Sequence, residues 1–286
     1  MTSYDIFHGI ALNWMIPTYF FLGGLSAGLF ILSVVFNYWK KEFKVLAKPA
    51  AILSPLFLVA GMNLLILDLG KPLRFWKLMV TFQPSSAASW GTWLLSIFFG
   101  LNALHAFLLV TGKDEKAKGI GYIGLLFAFV AATYTGFLLA QMQGKGLWHS
   151  PLIPWLFLVG SLISGLALVI LAGITLGKTK ELGYGAITLC KTLGWLVVLE
   201  LALIFTEVLV LLNGSSDAVV GARAFLTGSY SFLFWAVEIG LGSVIPLTIL
   251  LSSNRAAKLS LQSIAAILVL VGVFAMRFIV VMAGQI

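Results

Sequence analysis

Hydrophobic residues run in eight blocks, at roughly 14–38, 49–69, 90–111, 119–140, 152–176, 189–212, 229–252 and 261–284. Each block reaches the length of about 20 residues that a helix needs to cross a bilayer. No stretch alternates in the ten-residue fashion of a membrane barrel, and lipid offers the backbone no hydrogen-bond partner, so the blocks must be helices. The pattern predicts an all-α polytopic membrane protein with eight transmembrane helices and no soluble domain. Within it, Phe21-Leu22-Gly23-Gly24 with Gly28 in the first span is echoed by Phe157-Leu158-Val159-Gly160 with Ser164 in the fifth. Both give a small-xxx-small face on which helices approach closely. The echo predicts two four-helix bundles, residues 1–140 and 141–286, duplicated in parallel.

The loops between the blocks fix the orientation. Eleven Lys and Arg fall in the first, third, fifth and seventh loops, against five in the even-numbered ones, with Lys191 and Arg277 inside spans. Basic loops stay cytoplasmic, so both termini are expected outside a bacterial or archaeal cytoplasmic membrane. The segment Met1 to His8 carries no basic stretch and no small-residue cleavage site, so the first span is expected to act as the targeting signal itself.

Composition agrees: 60% of the 286 residues are hydrophobic and 10% charged, against about one quarter charged in a soluble domain. The net charge of +8 sits in short loops, where topology signals belong, which argues against a nucleic-acid partner and for the lipid bilayer. Cys190 is the only cysteine, so the protein forms no internal disulfide and offers no CxxC or Cys/His cluster for zinc or an iron–sulfur centre. Three histidines, His8, His105 and His149, do not supply the paired axial ligands that bis-histidine haems need, so neither haem nor metal is expected in this chain. His105, within the third span, is expected to serve helix packing.

The polar residues gather where the second span ends. Asp68-Leu69-Gly70-Lys71-Pro72-Leu73-Arg74-Phe75-Trp76-Lys77 follows an uncharged run from 49 to 67 and leads into the longest polar connection of the sequence. Its bases lie on the outer side, against the rule that governs the other loops, and so call for a specific role. Counting inward from the helix ends puts Tyr19, Asp68 and Tyr134 within about two turns of that surface, with Trp90 beside them. Thr135-Gly136 after Tyr134 are small enough to leave room for a flat ring. Four ionisable residues lie deep in the last three spans: Glu200 and Glu207 on one face of the sixth, Glu238 in the seventh and Arg277 in the eighth. Each costs roughly 2.5–3.5 kcal/mol at a helix centre and implies pairing or function. Equal depth predicts a Glu207–Arg277 ion pair, leaving Glu200 and Glu238 without a partner; together with His149 at the surface, these residues are either structural ion pairs or a proton path leading from the cytoplasm.

Five short motifs then stand in register: Tyr19-Phe20-Phe21-Leu22-Gly23-Gly24-Leu25-Ser26-Ala27-Gly28, Asp68-Leu69-Gly70-Lys71-Pro72-Leu73-Arg74, Ser89-Trp90-Gly91, Tyr134-Thr135-Gly136 and Pro151-Leu152-Ile153-Pro154-Trp155. In this order the sequence resembles the polysulfide reductase membrane-subunit family, also called NrfD. The resemblance implies a subunit that binds menaquinone or another quinone near the outer face. It further implies electron exchange with a four-cluster ferredoxin-like iron–sulfur subunit, itself joined to a catalytic subunit that is often molybdopterin-dependent. By it, Tyr134 is the quinone tyrosine, Asp68 the acid of the Asp-Leu-Gly-Lys-Pro motif, and Tyr19 stands where some members carry a histidine. Tyr19, Asp68, Trp90 and Tyr134 are thus the expected quinone residues, and Lys71, Arg74, Lys77, Lys145 and Arg223 the docking surface for the iron–sulfur partner. A secondary transporter with intramembrane carboxylates is the alternative, against which stands the lack of broken helices at matching positions of the two halves.

Overall fold

The computed structural model describes residues 12–83, 86–141 and 146–286. Eight helices are long and apolar enough to span a membrane: α1 Met15–Trp39, α2 Lys41–Asp68, α3 Ser89–Val110, α4 Asp114–Ala140, α5 Ile153–Thr175, α6 Tyr184–Leu212, α7 Leu233–Leu250 and α8 Leu259–Ala283. Among the described residues there is no strand. All eight predicted spans are present, but several start earlier than the apolar blocks. Thus α2 carries Lys44 and Lys48 in its first turns and runs through Pro49 and Pro55, and α4 begins on Asp114 and Glu115, acids that suit the positive end of a helix dipole.

The first and last helices end on one face, where the Leu12 backbone and the Gln285 side chain bond each other. This terminal face also carries the segments 69–83, 146–152 and 213–232, two of which are more helical than loops. Pro72–Arg74 and Trp76–Val80 form short helical turns, and Ser216–Leu226 is a helix capped by the Ser215 side chain, which accepts from the Ala218 N–H. Trp148 donates its indole N–H to the Val280 carbonyl, tying the 146–149 turn to α8.

Large apolar side chains such as Leu126, Phe137, Trp195 and Phe205 point outward at 56–65% exposure, a surface that suits lipid and not water. Inside, α1 and α5 are the most buried spans, and each packs on helices of both halves of the protein, α1 on α2, α4, α5 and α8, and α5 on α1, α4, α6 and α8. Lipid tails are as apolar as the core, so helix association rests on close packing and polar contacts. The α1–α5 crossing supplies both. A Cβ on Gly28 would overlap the Ser161 carbonyl and lie 3.3 Å from Gly165 Cα, and one on Gly165 would lie 2.7 Å from the Gly28 carbonyl carbon. The rings of Phe20 and Phe157 meet one turn or two earlier, with centroids 5.9 Å apart. Phe20 therefore faces Phe157, Gly24 faces Ser161 and Gly28 faces Gly165, so the two helices run parallel. The residues that face each other across this crossing, Phe20 with Phe157 and Gly28 with Gly165, are one position out of the alignment of Phe21 with Phe157 and Gly28 with Ser164.

Candidate functional site

Tyr19 lies on the inner side of α1, 2% exposed, its ring tilted against Phe20 at 5.4 Å. Gly61 of α2 packs beside it, and a Cβ there would lie 3.2 Å from Leu22 Cβ and in ordinary contact, 3.5 Å, with the Tyr19 ring. Asp68 lies seven residues beyond Gly61, two turns further toward the terminal face on the same side of α2, and is half-exposed. Tyr134 is half-buried and close enough to Tyr19 for the two phenols to interact electrostatically. Its hydroxyl bonds the backbone of Gly91, and any Cβ at position 91 would overlap that hydroxyl. This gives the Ser89-Trp90-Gly91 motif a physical reason: α3 must present bare backbone to the phenol. Trp90 itself turns outward, 56% exposed, with Phe82 edge-on at 5.0 Å.

The room expected beside Gly136 is not open. A Cβ there would lie 2.7 Å from Pro154 Cα and 2.8 Å from its nitrogen, so Gly136 serves the contact of α4 with the start of α5. Of the expected docking residues, Lys71, Arg74, Lys77 and Arg223 are exposed on the terminal face, Arg223 on the Ser216–Leu226 helix. Lys77 lies over the Trp76 ring at 5.9 Å. Lys145 lies outside the described residues.

The deep ionisable groups are arranged differently from the expected pairing. Arg277 is 0% exposed, yet its guanidinium does not bond Glu207. It donates to the carbonyls of Phe20 at 3.0 Å and Phe157 at 2.9 Å and to Ser161 Oγ at 2.9 Å, and stacks 4.6 Å over the Phe157 ring. The carboxylate acting on it is Glu200, and Glu200 acts in turn on Glu238. The reason is direction: α8 starts on the opposite face, helical side chains lean toward their N-terminus, and the long Arg277 therefore drops away from the terminal face into the gap that Gly24 leaves. A Cβ on Gly24 would sit 2.5 Å from the guanidinium Nη2. Glu207, nearer the terminal face, instead accepts from the Ser150 hydroxyl. Glu200, Glu207 and Glu238 are all buried, and one oxygen each of Glu200 and Glu207 lacks a hydrogen-bond partner. His149 is exposed, on the rim of a surface pocket that also holds Ser150 and Asp217.

A buried polar cluster around Asn102 has no counterpart in the sequence pattern. Asn102 of α3 donates to Ser54 Oγ at 2.7 Å and Ser26 Oγ at 3.3 Å, and Ser54 donates to the Ser26 carbonyl. One level further from the terminal face, His105 Nε2 lies 3.4 Å from Ser33 Oγ and its Nδ1 3.0 Å from the Ala117 carbonyl, so His105 does join helices, as expected. Tyr19, Ser26 and Ser33 recur every seven residues on one side of α1, a spacing that was open to view. Single serines in apolar runs carry little signal, however, and only the facing Asn102 and His105 give them weight.

Three relatives are similar to the protein over most of its length. A polysulfide reductase chain of Wolinella succinogenes is 29% identical, across 99% of the present sequence and 97% of that protein. A selenate reductase subunit of Mesobacillus selenatarsenatis is 29% identical, across 96% and 73%. The Hdr-like menaquinol oxidoreductase integral membrane subunit of Archaeoglobus fulgidus is 28% identical, across 92% and 68%. The family model described as polysulphide reductase, NrfD, matches residues 5–286, and the protein belongs to that family.

Proposed function

We propose that this protein is the membrane subunit of an oxidoreductase complex, binding a quinone such as menaquinone at the terminal face between α1, α2, α3 and α4. The names of its relatives support a redox role in a membrane complex. The observation that carries the quinone site is the closeness of the Tyr134 phenol, fixed over Gly91, to the buried Tyr19 phenol, with Asp68 at the terminal-face end of the same α2 that packs on Tyr19. These residues fit a quinone: two phenols can donate to ring carbonyl oxygens, and the Phe20 ring beside Tyr19 gives an apolar surface that suits its ring. When bound, the quinone supplies two-electron, two-proton chemistry that the side chains themselves lack. Tyr134 orients and hydrogen-bonds, held by Gly91 in a single pose, while Asp68, half-exposed, exchanges protons with the terminal-face solution. Tyr19, sealed in the core, fixes the far end of the site.

In this reading the terminal face is the outer face, and the exposed bases Lys71, Arg74, Lys77 and Arg223, with Lys145, receive an iron–sulfur subunit that links to a catalytic, often molybdopterin-dependent, partner. Positive charge beside an acidic cluster protein favours association. The test is quinol-linked electron transfer in the purified complex. Tyr134→Phe removes the hydroxyl and is expected to lower turnover by about 10²-fold, the low end of what a positioned acid–base group contributes; Asp68→Asn is expected to do the same. Wild-type rates in both variants, with quinone still bound, would discard the site.

A further inference from the structure

Between α5, α6, α7 and α8, on the terminal side of Arg277, lies a small, partly enclosed chamber. Its walls are Ile153, Leu156, Ile204, Phe225, Phe234 and other apolar side chains, and the only titratable groups among its lining residues are Glu207 and Glu238. Its volume is ≈ 40 Å³. One water needs about 10–15 Å³ by this measure, so the space suits two or three waters and not a quinone ring. Two features point to a ligand there. Glu207, 7% exposed, lines the chamber with an oxygen that has no protein partner. Its other oxygen accepts from Ser150, which lines an open pocket of ≈ 370 Å³ on the terminal face together with His149 and Asp217. The Glu207 carboxyl therefore separates an outside pocket from an inside chamber.

Glu238 stands at the chamber's other end on an unusual stretch of helix. Leu233–Val244 is wound as a π-helix, a rare form that occurs mostly as single-turn bulges and is frequent at functional sites, and the Ser243 hydroxyl bonds the Glu238 carbonyl across the wider turn. Groups of like and opposite charge face Glu238 from its neighbours: Glu200 on α6, with Arg277 of α8 behind it. From α5 and the Ser216–Leu226 helix the chamber receives only apolar side chains, Ile153, Leu156 and Phe225. Beyond Glu200 the series ends at the Arg277 guanidinium, a fixed positive charge bonded to the α1–α5 crossing.

We infer that this chamber is a proton half-channel open to the terminal face, in which Glu207 passes protons by way of water to the Glu238–Glu200 pair, and Arg277 closes the far end. A bound metal cation is the poorer occupant, since such ions take six or more oxygen ligands and the chamber offers two carboxylates. The direction of access differs from a route starting at the opposite face, because the Ser150–Glu207 contact joins the acids to the pocket beside His149 and Asp217. The inference is independent of the quinone site, which lies in the other half of the protein.

The test uses the full-length protein in lipid nanodiscs without quinol turnover, so its failure and the failure of the quinone reading are separate results. Infrared difference spectra on transfer from H₂O to D₂O report the exchange of buried carboxyl groups through their C=O stretch. Glu207→Gln is expected to remove one band and to slow exchange of the Glu238 band by about 10²-fold, the low end of what a positioned acid–base group contributes, while Glu207→Asp restores the rate. Val208→Phe, which narrows the chamber and leaves every carboxyl in place, is expected to slow the same band. Glu238 exchange at the wild-type rate in both Glu207→Gln and Val208→Phe overturns the inference, as does the absence of any band assigned by Glu238→Gln that exchanges at all.

Discussion

Gly28→Ala is the smallest change that tests what holds the two halves together. The added methyl overlaps the Ser161 carbonyl oxygen and falls 2.7 Å from its carbon, whereas carbon atoms in good contact sit about 3.5–4.0 Å apart. Relief requires α1 and α5 to separate by more than about 1 Å, since the carbonyl oxygen lies nearer than its carbon and ordinary contact needs about 3.5 Å. Arg277 spans that crossing, with one bond to Phe20 on α1 at 3.0 Å and two to Phe157 and Ser161 on α5 at 2.9 Å. Stretching either side by about 1 Å takes it beyond the range of about 2.7–3.2 Å in which N–H···O bonds form. Overpacking costs about 1–3 kcal/mol, and a lost bond to a charged group about 1.5–3 kcal/mol. The sum is about 2.5–6 kcal/mol, a large part of the roughly 5–15 kcal/mol that holds a domain folded. Reversible unfolding of the protein in mixed micelles measures it, with Gly100→Ala on α3, where nothing lies within 4 Å, as the control. Combining Gly28→Ala with Arg277→Met isolates the transmitted part, because without the guanidinium only the overpacking remains. A Gly28→Ala protein within about 0.5 kcal/mol of wild type, the usual range for a neutral surface change, would refute the reasoning, and additivity in the cycle would refute the part assigned to Arg277.

Gly91→Ala is expected to push the Tyr134 phenol off its backbone partner and to lower quinol turnover by about 10²-fold, since a misplacement of about 1 Å suffices for that; unchanged turnover counts against the pose. Lys71→Glu combined with Arg74→Glu is expected to release the iron–sulfur partner at low salt, read by co-purification, and retention of the complex at moderate salt removes these bases from the interface. Asn102→Leu leaves Ser54 and Ser26 without their shared donor and is expected to destabilise the protein by about 1–3 kcal/mol, the cost of an unsatisfied buried group, with a melting point equal to wild type as the contrary result. Purification from its native membrane is expected to bring an iron–sulfur protein and a bound quinone; a protein that comes out alone and moves solutes across vesicles would return the transporter reading.

The spans were legible because a bilayer imposes one length and one hydrophobicity on every crossing. Their ends were less so: Lys44, Lys48 and Asp114 are polar, yet they sit inside helices that protrude beyond the hydrocarbon. The Gly24 and Gly28 face was visible as a close-approach surface, but its register was not, since Gly160 and Ser161 are both small and only space decides which of them faces Gly24. Depth counting likewise failed for Arg277. It places Cα atoms, whereas an arginine side chain reaches more than a helical turn, so the charge ends at Glu200 and not at Glu207. The room read from Gly136 failed for a related reason, because a missing side chain marks a gap in one helix that the next one is free to fill, and Pro154 fills it.

The two halves are not joined by hydrophobic contact alone. Phe20 and Phe157 face each other across the parallel helices α1 and α5, and Arg277 bonds the carbonyl of each, so one guanidinium ties both helices at once. A buried charge of this kind is costly when left alone, and removing one partner of a buried pair destabilises by about 3–5 kcal/mol. Glu200 supplies the compensating charge from α6, and it belongs to the half that carries the proposed water chamber, whereas Phe20 adjoins Tyr19 in the half that carries the proposed quinone site. The rings continue the link, Tyr19 on Phe20 at 5.4 Å, Phe20 on Phe157 at 5.9 Å, and Phe157 under the guanidinium at 4.6 Å. The three hydrogen bonds of Arg277 thus lie between Glu200 on one side and the Tyr19–Phe20 ring pair on the other, and the stability cost of substituting Arg277 is to be read separately from the proton and quinone assays.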